Sequence, residues 1–195
     1  MSKTSYNLNY QTKVKLKKDI LDRLKKEKWM YNDDYLDNKE YINCVYDILD
    51  HPKFQEMNKY IQHGNTSTLE HCLCVSYLTY KICRSYRLDY RSAARGALLH
   101  DLFLYDWHTH RKETGNKLHG LTHPRSALNN AVKYFDLNEK EQDIILKHMW
   151  PITVIVPKSI EGFIVAYVDK YCGFMETAAR MKGLSSKFKK IIFIR

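Results

Sequence analysis

Apolar side chains return every three or four residues along most of this chain, and the strict alternation of a half-buried strand is scarce. That spacing restricts the fold to amphipathic helices burying stripes against one another. Lys13 to Trp29 forms one such pattern, with Val14, Ile20, Leu21 and Leu24 set among lysines. Asn38 to Asp50 forms a second, carrying Tyr41, Ile42, Val45, Ile48 and Leu49 and closed by Pro52. A third, short helix is expected through Phe54, Met57 and Ile61, stopped at His63-Gly64-Asn65.

Ser67-Thr68-Leu69-Glu70 has the form of a capping box, which predicts a helix carrying His71, Val75, Leu78 and Ile82 on one side. Asp89 or Ser92 opens the next, through Ala93, Ala94, Ala97 and Leu98 to His100-Asp101. Its small residues, Gly96 among them, permit close helix packing at some loss of propensity. Trp107 to Thr122 is polar and reads as a long loop. His123-Pro124 is expected to start a helix, the proline suiting the first helical position. Asn138 to Glu141 caps another that ends at His148 before Pro151, and Ser159 precedes a last long helix through Asp169 and Cys172. The class is all-α.

The chain's 195 residues suit one domain with a real core. No run of about 18 apolar residues predicts a membrane span. Residues 1–18 lack the apolar centre of a signal peptide. The five cysteines, Cys44, Cys72, Cys74, Cys83 and Cys172, contain no C-x-x-C pair and indicate neither a disulfide framework nor a thiolate zinc site. A reduced, cytoplasmic setting is the expectation. The net charge of +10 is concentrated at the ends: residues 1–30 carry nine Lys/Arg against three Asp/Glu, and residues 176–195 carry six against one. Between them, residues 31–175 are close to neutral. Basic ends can attract RNA or an anionic surface, though a solvated face is the simpler reading. A nucleic-acid partner is therefore not favoured.

Asp101 and Asp169 interrupt otherwise apolar helical faces. A buried, ionised carboxylate is costly without a compensating partner, and a bound cation is one such partner. His71, His100, His123 and His148 stand at helix starts or ends from which imidazoles can turn inward. Neutral imidazole with carboxylate suits zinc, iron, manganese, cobalt or similar divalent ions. Six such ligands exceed the need of one tetrahedral ion and could hold two, about 3.5–4 Å apart.

The ordered set His71, His100-Asp101 and Asp169 resembles the HD-domain superfamily of metal-dependent phosphohydrolases. Ala97-Leu98-Leu99-His100-Asp101 and Val168-Asp169-Lys170 carry the likeness, which covers about residues 60–180. His123 and His148 look like the additional ligands of the branch that binds two metals. The resemblance implies an all-helical bundle with a hydrolase core over 56–180; residues 1–55 lie outside it, and their helical spacing adds N-terminal helices to that bundle. A basic helical extension over 1–55 would pack on that core, and a basic tail over 181–195 would follow it.

It also implies that His71, His100 and Asp169 ligate one divalent ion and that His123 and His148 hold a second. Asp101 would bridge the two and position the metal-activated water. His119 competes with His123 for entry from the same junction, and the proline after His123 favours the latter. Lys170 looks like a phosphate-facing lysine, with Arg125 and His119 as further substrate contacts. The substrate implied is a small phosphorylated molecule, a nucleotide ester or anhydride. The other function class is an RNA- or signal-binding module with a structural or vestigial metal site.

Overall fold

The computed structural model describes residues 38–63, 66–106 and 119–192. The expected helix over Lys13–Trp29 and the polar stretch 107–118 lie outside these residues. The described residues form seven α-helices, one 3-10 turn and a two-stranded hairpin.

Local capping starts most of the helices. In α1 (Lys39–Leu49) the Asn38 side chain accepts from the Tyr41 amide at 3.0 Å, and Tyr41, Cys44, Val45 and Ile48 form the buried face. Pro52 opens α2 (Pro52–Glu56), where its missing N–H costs nothing. A 3-10 turn, Met57–Lys59, leads into β1 (Ile61–His63), which pairs antiparallel with β2 (Thr66–Ser67). The helix expected through Ile61 therefore stops at Glu56. The chain then extends, so that Ile61 pairs with Ser67 and His63 with Thr66. α3 (Thr68–Ser85) begins with the expected capping box: Ser67 Oγ accepts from the Glu70 amide, and Glu70 accepts from the Ser67 amide at 2.9 Å.

α4 (Tyr90–Leu99) is capped by Asp89, which accepts from the Ser92 amide at 3.1 Å. α5 runs from His119 to Tyr134. The helix expected to begin at His123-Pro124 thus starts four residues earlier, and Pro124 lies inside it. Only the bond to the Gly120 carbonyl is forgone there, near enough to the helix start to be tolerated. α6 (Glu139–Lys147) carries a second capping box, between Asn138 and Glu141. α7 (Ile160–Ile192) starts at Ser159, whose Oγ accepts from the Gly162 amide, and continues past residue 180 without a break.

α4 is the central helix. Every residue from Ser92 to Leu99 is buried, because α3, α1, α6, α7 and α5 all pack against it. Its small side chains allow this. A Cβ on Gly96 would lie 2.8 Å from Ile144 Cγ2, so α6 approaches α4 at a distance only glycine permits. One apolar cluster joins α1, α3, α4 and α5 through Tyr41, Ile48, Leu73, Leu98, Leu99 and Ala127. A second joins α3, α4, α6 and α7 through Val75, Ala97, Ile144, Val165 and Val168. Each large side chain so buried contributes about 1.5–3 kcal/mol.

Arg95, buried in α4, pairs with Glu141 at 2.9 Å and with Asp47, and donates to the Cys44 carbonyl, tying α1 and α6 to the central helix. The five cysteines are free and buried. No helix among the described residues is long and apolar enough to cross a membrane.

Candidate metal centre

The two clusters meet where the C-terminal ends of α4 and α6 face α3, α5 and α7. His100 and His148 are the C-cap residues of α4 and α6. Each turns its ring back so that Nδ1 donates to a carbonyl of its own last turn. His100 bonds Ala97 O at 2.7 Å and His148 bonds Ile145 O at 2.8 Å. Those bonds fix both rings and leave both Nε2 atoms facing the same interior. Asp101 follows His100 directly, His71 stands in the first turn of α3, and His123 in the second turn of α5. Asp169 lies on α7 with Ala166 one turn before it.

All six side chains are buried, His71 and His100 completely. His71 Nε2 is 3.0 Å from Asp169 Oδ1, and His100 Nε2 is 3.5 Å from the same oxygen. On the other side, His123 Nε2 lies 3.1 Å and His148 Nε2 3.5 Å from Asp101 Oδ1, and the two imidazole nitrogens are 2.9 Å apart. His100 Nε2 is 3.4 Å from Asp101 Oδ2. Two groups of metal-capable donors result, His71–His100–Asp169 and His100–Asp101–His148, and His100 belongs to both. Asp101 presents one carboxylate oxygen towards His100 and the other towards His123 and His148.

Two buried atoms at the centre, His100 Nε2 and Asp101 Oδ1, have no hydrogen-bond partner among the described residues. Both atoms nonetheless have charged neighbours 3.1–3.5 Å away, imidazole beside the carboxylate oxygen and carboxylate beside the imidazole nitrogen, without hydrogen-bond geometry. A divalent cation would serve both kinds of group, and the donor set of imidazole nitrogen and carboxylate oxygen without thiolate suits iron, manganese, cobalt or zinc. The residues fit a metal centre.

The electrostatics agree. Burial opposes charge on His71, but the Glu176 and Asp169 carboxylates outweigh it and hold the imidazole well above its ordinary range. Burial likewise opposes charge on His100, and Asp101 outweighs it. Asp101 and Asp169 are held well below the carboxylate range against burial by the surrounding imidazoles. His148 goes the other way: burial, then repulsion from His100 and His123, pushes it down to about 3. Protons on His71 and His100 thus occupy the place of cationic charge that the carboxylates demand.

Two further residues belong to the site. Glu176 places both carboxylate oxygens 3.1 Å from His71 Nδ1, turning the opposite nitrogen towards Asp169. Its signal was present in the sequence, seven residues after Asp169 and so two turns along the same face of α7. Gln62, on β1, donates to Asp101 Oδ2. No local pattern marks it, because a three-residue strand is placed by what it packs on.

The expected substrate contacts are less concentrated. Lys170 is half-buried, and its Nζ donates to His148 O at 2.8 Å and Ala166 O at 3.1 Å, with Asp169 Oδ2 3.7 Å away. Burial lowers its pKa, and Asp169 acts against that shift. Arg125 is exposed on α5, two residues from His123 and hence about 200° around the helix. His119 is the first residue of α5, one turn before His123. His108-Thr109-His110, in the polar stretch after Trp107, lies outside the described residues.

An all-helical domain whose helix ends converge on a buried His/Asp centre has the architecture of a metal-dependent hydrolase. A family model described as HD domain matches residues 68–173, more than half of the chain, which spans α3 through the ligand-bearing part of α7. This chain belongs to the HD-domain family, a family of metal-dependent phosphohydrolase type in which divalent metal binding is implied. No curated protein and no solved structure matches it.

Proposed function

We propose that this chain hydrolyses a phosphate ester or anhydride of a small, nucleotide-type substrate with two divalent cations held in adjoining positions. His71, His100 and Asp169 take the first and His123 and His148 the second, with Asp101 between them. The observation that carries this reading is the pair of unsatisfied buried atoms, His100 Nε2 and Asp101 Oδ1, at the junction of the two donor groups. One ion satisfies a single group; the other group then remains, and beside it His123, which is in neither group, sets its Nε2 2.9 Å from His148 Nε2 and 3.1 Å from Asp101 Oδ1.

Bound in this way, two divalent ions supply Lewis acidity, drawing charge from phosphoryl oxygens and making water a nucleophile at neutral pH. The protein's part is to hold the donors rigid. Gln62 fixes the Asp101 carboxylate, Glu176 fixes the His71 ring, and the Ala97 and Ile145 carbonyls fix His100 and His148. Lys170 and His119 are assigned to the substrate phosphate.

The test is turnover by purified protein of a panel of nucleotide mono-, di- and triphosphates and dinucleoside polyphosphates with Mn²⁺, Fe²⁺, Co²⁺ or Zn²⁺. Release of phosphate or a nucleoside phosphate, abolished by His100→Ala and by Asp101→Ala, is the expected result. Full turnover by either variant overturns the proposal. Salt-dependent RNA binding without turnover under any metal would instead favour a binding module.

A further inference from the structure

α7 carries an apolar stripe on the face turned away from its own domain. Val165, Val168, Asp169, Cys172 and Glu176 are buried against the domain. On the opposite side, Ile160 is 63% exposed, Tyr167 72%, Tyr171 49% and Phe174 71%. These four, with half-buried Ile164, are spaced 4-3-4-3. In the sequence the same spacing continues through Ala178, Met181, Ser185, Phe188 and Ile192, and the α7 backbone is helical to Ile192. Nine of the ten positions are apolar.

A strict 3-4 alternation held over more than four heptads is the periodicity of a left-handed supercoil seam. A helix packing only on its own domain needs it for no more than the domain's length. Here it extends well past residue 173, where the family match ends.

We propose that the partner of this face is a second copy of the same chain, the two α7 helices lying parallel and in register. The helix offers area for such a partner. α7 is about 50 Å long, and Tyr167, Tyr171 and Phe174 on the stripe, with Phe163 beside it, expose roughly 450 Å² at about 200 Å² per ring, over half of the ~800 Å² per partner of a stable interface.

The charge pattern also permits it. In the sequence, the flanking positions that this register sets opposite one another are 170 with 175, 177 with 182 and 184 with 189, and none of these pairs is two lysines; the Lys170 amine itself is turned to the His148 and Ala166 carbonyls of its own domain. Arg180, Lys187 and Lys190 fall at outer positions of the heptad. A groove beside the stripe, walled by Ile82 of α3 with Ile160, Phe163, Ile164 and Tyr167 of α7, adds an apolar recess for the partner's aromatic rings.

The experiment is sedimentation velocity and light scattering of the full chain at physiological salt. The expected mass is twice 23.2 kDa at micromolar concentration. Tyr167→Glu with Phe174→Glu, both at exposed positions, should weaken association at least ~100-fold, while circular dichroism and bound metal stay unchanged. Phe174→Cys should give a disulfide-linked dimer on mild oxidation with oxidised glutathione.

A wild-type monomer at tens of micromolar overturns the proposal, whether the stripe is then found covered by residues 1–37 or bound to phosphatidylserine vesicles. A dimer unaffected by the double substitution overturns it too, because the interface would lie elsewhere. A dimer that the substitutions dissociate but that gives no Phe174→Cys cross-link overturns the parallel arrangement.

Discussion

Glu176 holds His71 from behind: both of its carboxylate oxygens lie 3.1 Å from Nδ1 of an imidazole 105 residues away in the chain, and both side chains are buried. The opposite nitrogen of that ring faces Asp169 at 3.0 Å. A carboxylate in this position sets the tautomer and makes the ligating nitrogen more basic. Glu176→Ala should therefore weaken metal binding by about 10–100-fold although Glu176 belongs to neither donor group. Competition against a fluorescent chelator measures this directly. An unchanged affinity would mean that Glu176 serves only the packing of α7.

The second donor group makes a stoichiometric claim. His148→Ala with His123→Ala leaves His71, His100 and Asp169 intact, so the variant should retain one divalent ion per chain where the wild type binds two. Turnover should fall by about 10³-fold or more if both ions act on the phosphoryl group. Elemental analysis of anaerobically purified protein distinguishes the outcomes: two ions in both proteins, or one in both, would contradict the assignment.

Much of this centre was legible before any fold was known, and the reason is locality. Ser67, Asp89 and Asn138 announce their helices because a cap needs only the next three residues. His100-Asp101 and Asp169 stood out because ionisable groups on apolar faces demand an explanation. What was not legible depends on distant contacts. β1 forms where a helix was expected to continue through Ile61, since pairing with Ser67 and the bond from Gln62 to Asp101 outweigh local spacing. α5 begins at His119 because a helix tolerates proline early in its course, so Pro124 marked the region but not the boundary. Arg95 carries no local signal in the sequence, because only the fold brings Glu141 and Asp47 to it.

The distance between α4 and α6 sets how His100-Asp101 meets His148, and Gly96 sets that distance. A methyl group there would stand 2.8 Å from Ile144 Cγ2. Gly96→Ala gains helix propensity of up to about 1 kcal/mol but must displace α6. The net expectation is destabilisation of about 1–3 kcal/mol from overpacking, accompanied by weaker metal binding. Removing a methylene from the neighbour with Ile144→Val should restore part of both losses. Chemical denaturation of the two single variants and the double variant measures the coupling; strict additivity would show that the contact does not control the spacing.

The protonation pattern gives the metal-free protein a pH optimum that can be worked out by sign. His71 and His100 titrate well above the ordinary 6.5, so their stabilisation is complete below pH 6.5 and is lost as pH rises through their folded values. His148, pushed down to about 3, stays neutral when folded, whereas the unfolded chain protonates it below 6.5; its contribution therefore worsens steadily from pH 6.5 down to about 3. Asp101 and Asp169, held below 3.8, contribute constantly above that value and lose their effect only as pH falls through their folded values. These signs together place the centre's greatest stabilisation near pH 6.5. His148→Ala should flatten the acid limb of a melting-temperature profile while leaving the alkaline limb in place. Cation uptake must then expel the protons from His71 and His100, so affinity should rise with pH above neutrality and binding should release protons. Calorimetry in buffers of different ionisation enthalpy counts them. Zero release at pH 7 would show that the carboxylates are not balanced by imidazolium in the metal-free state.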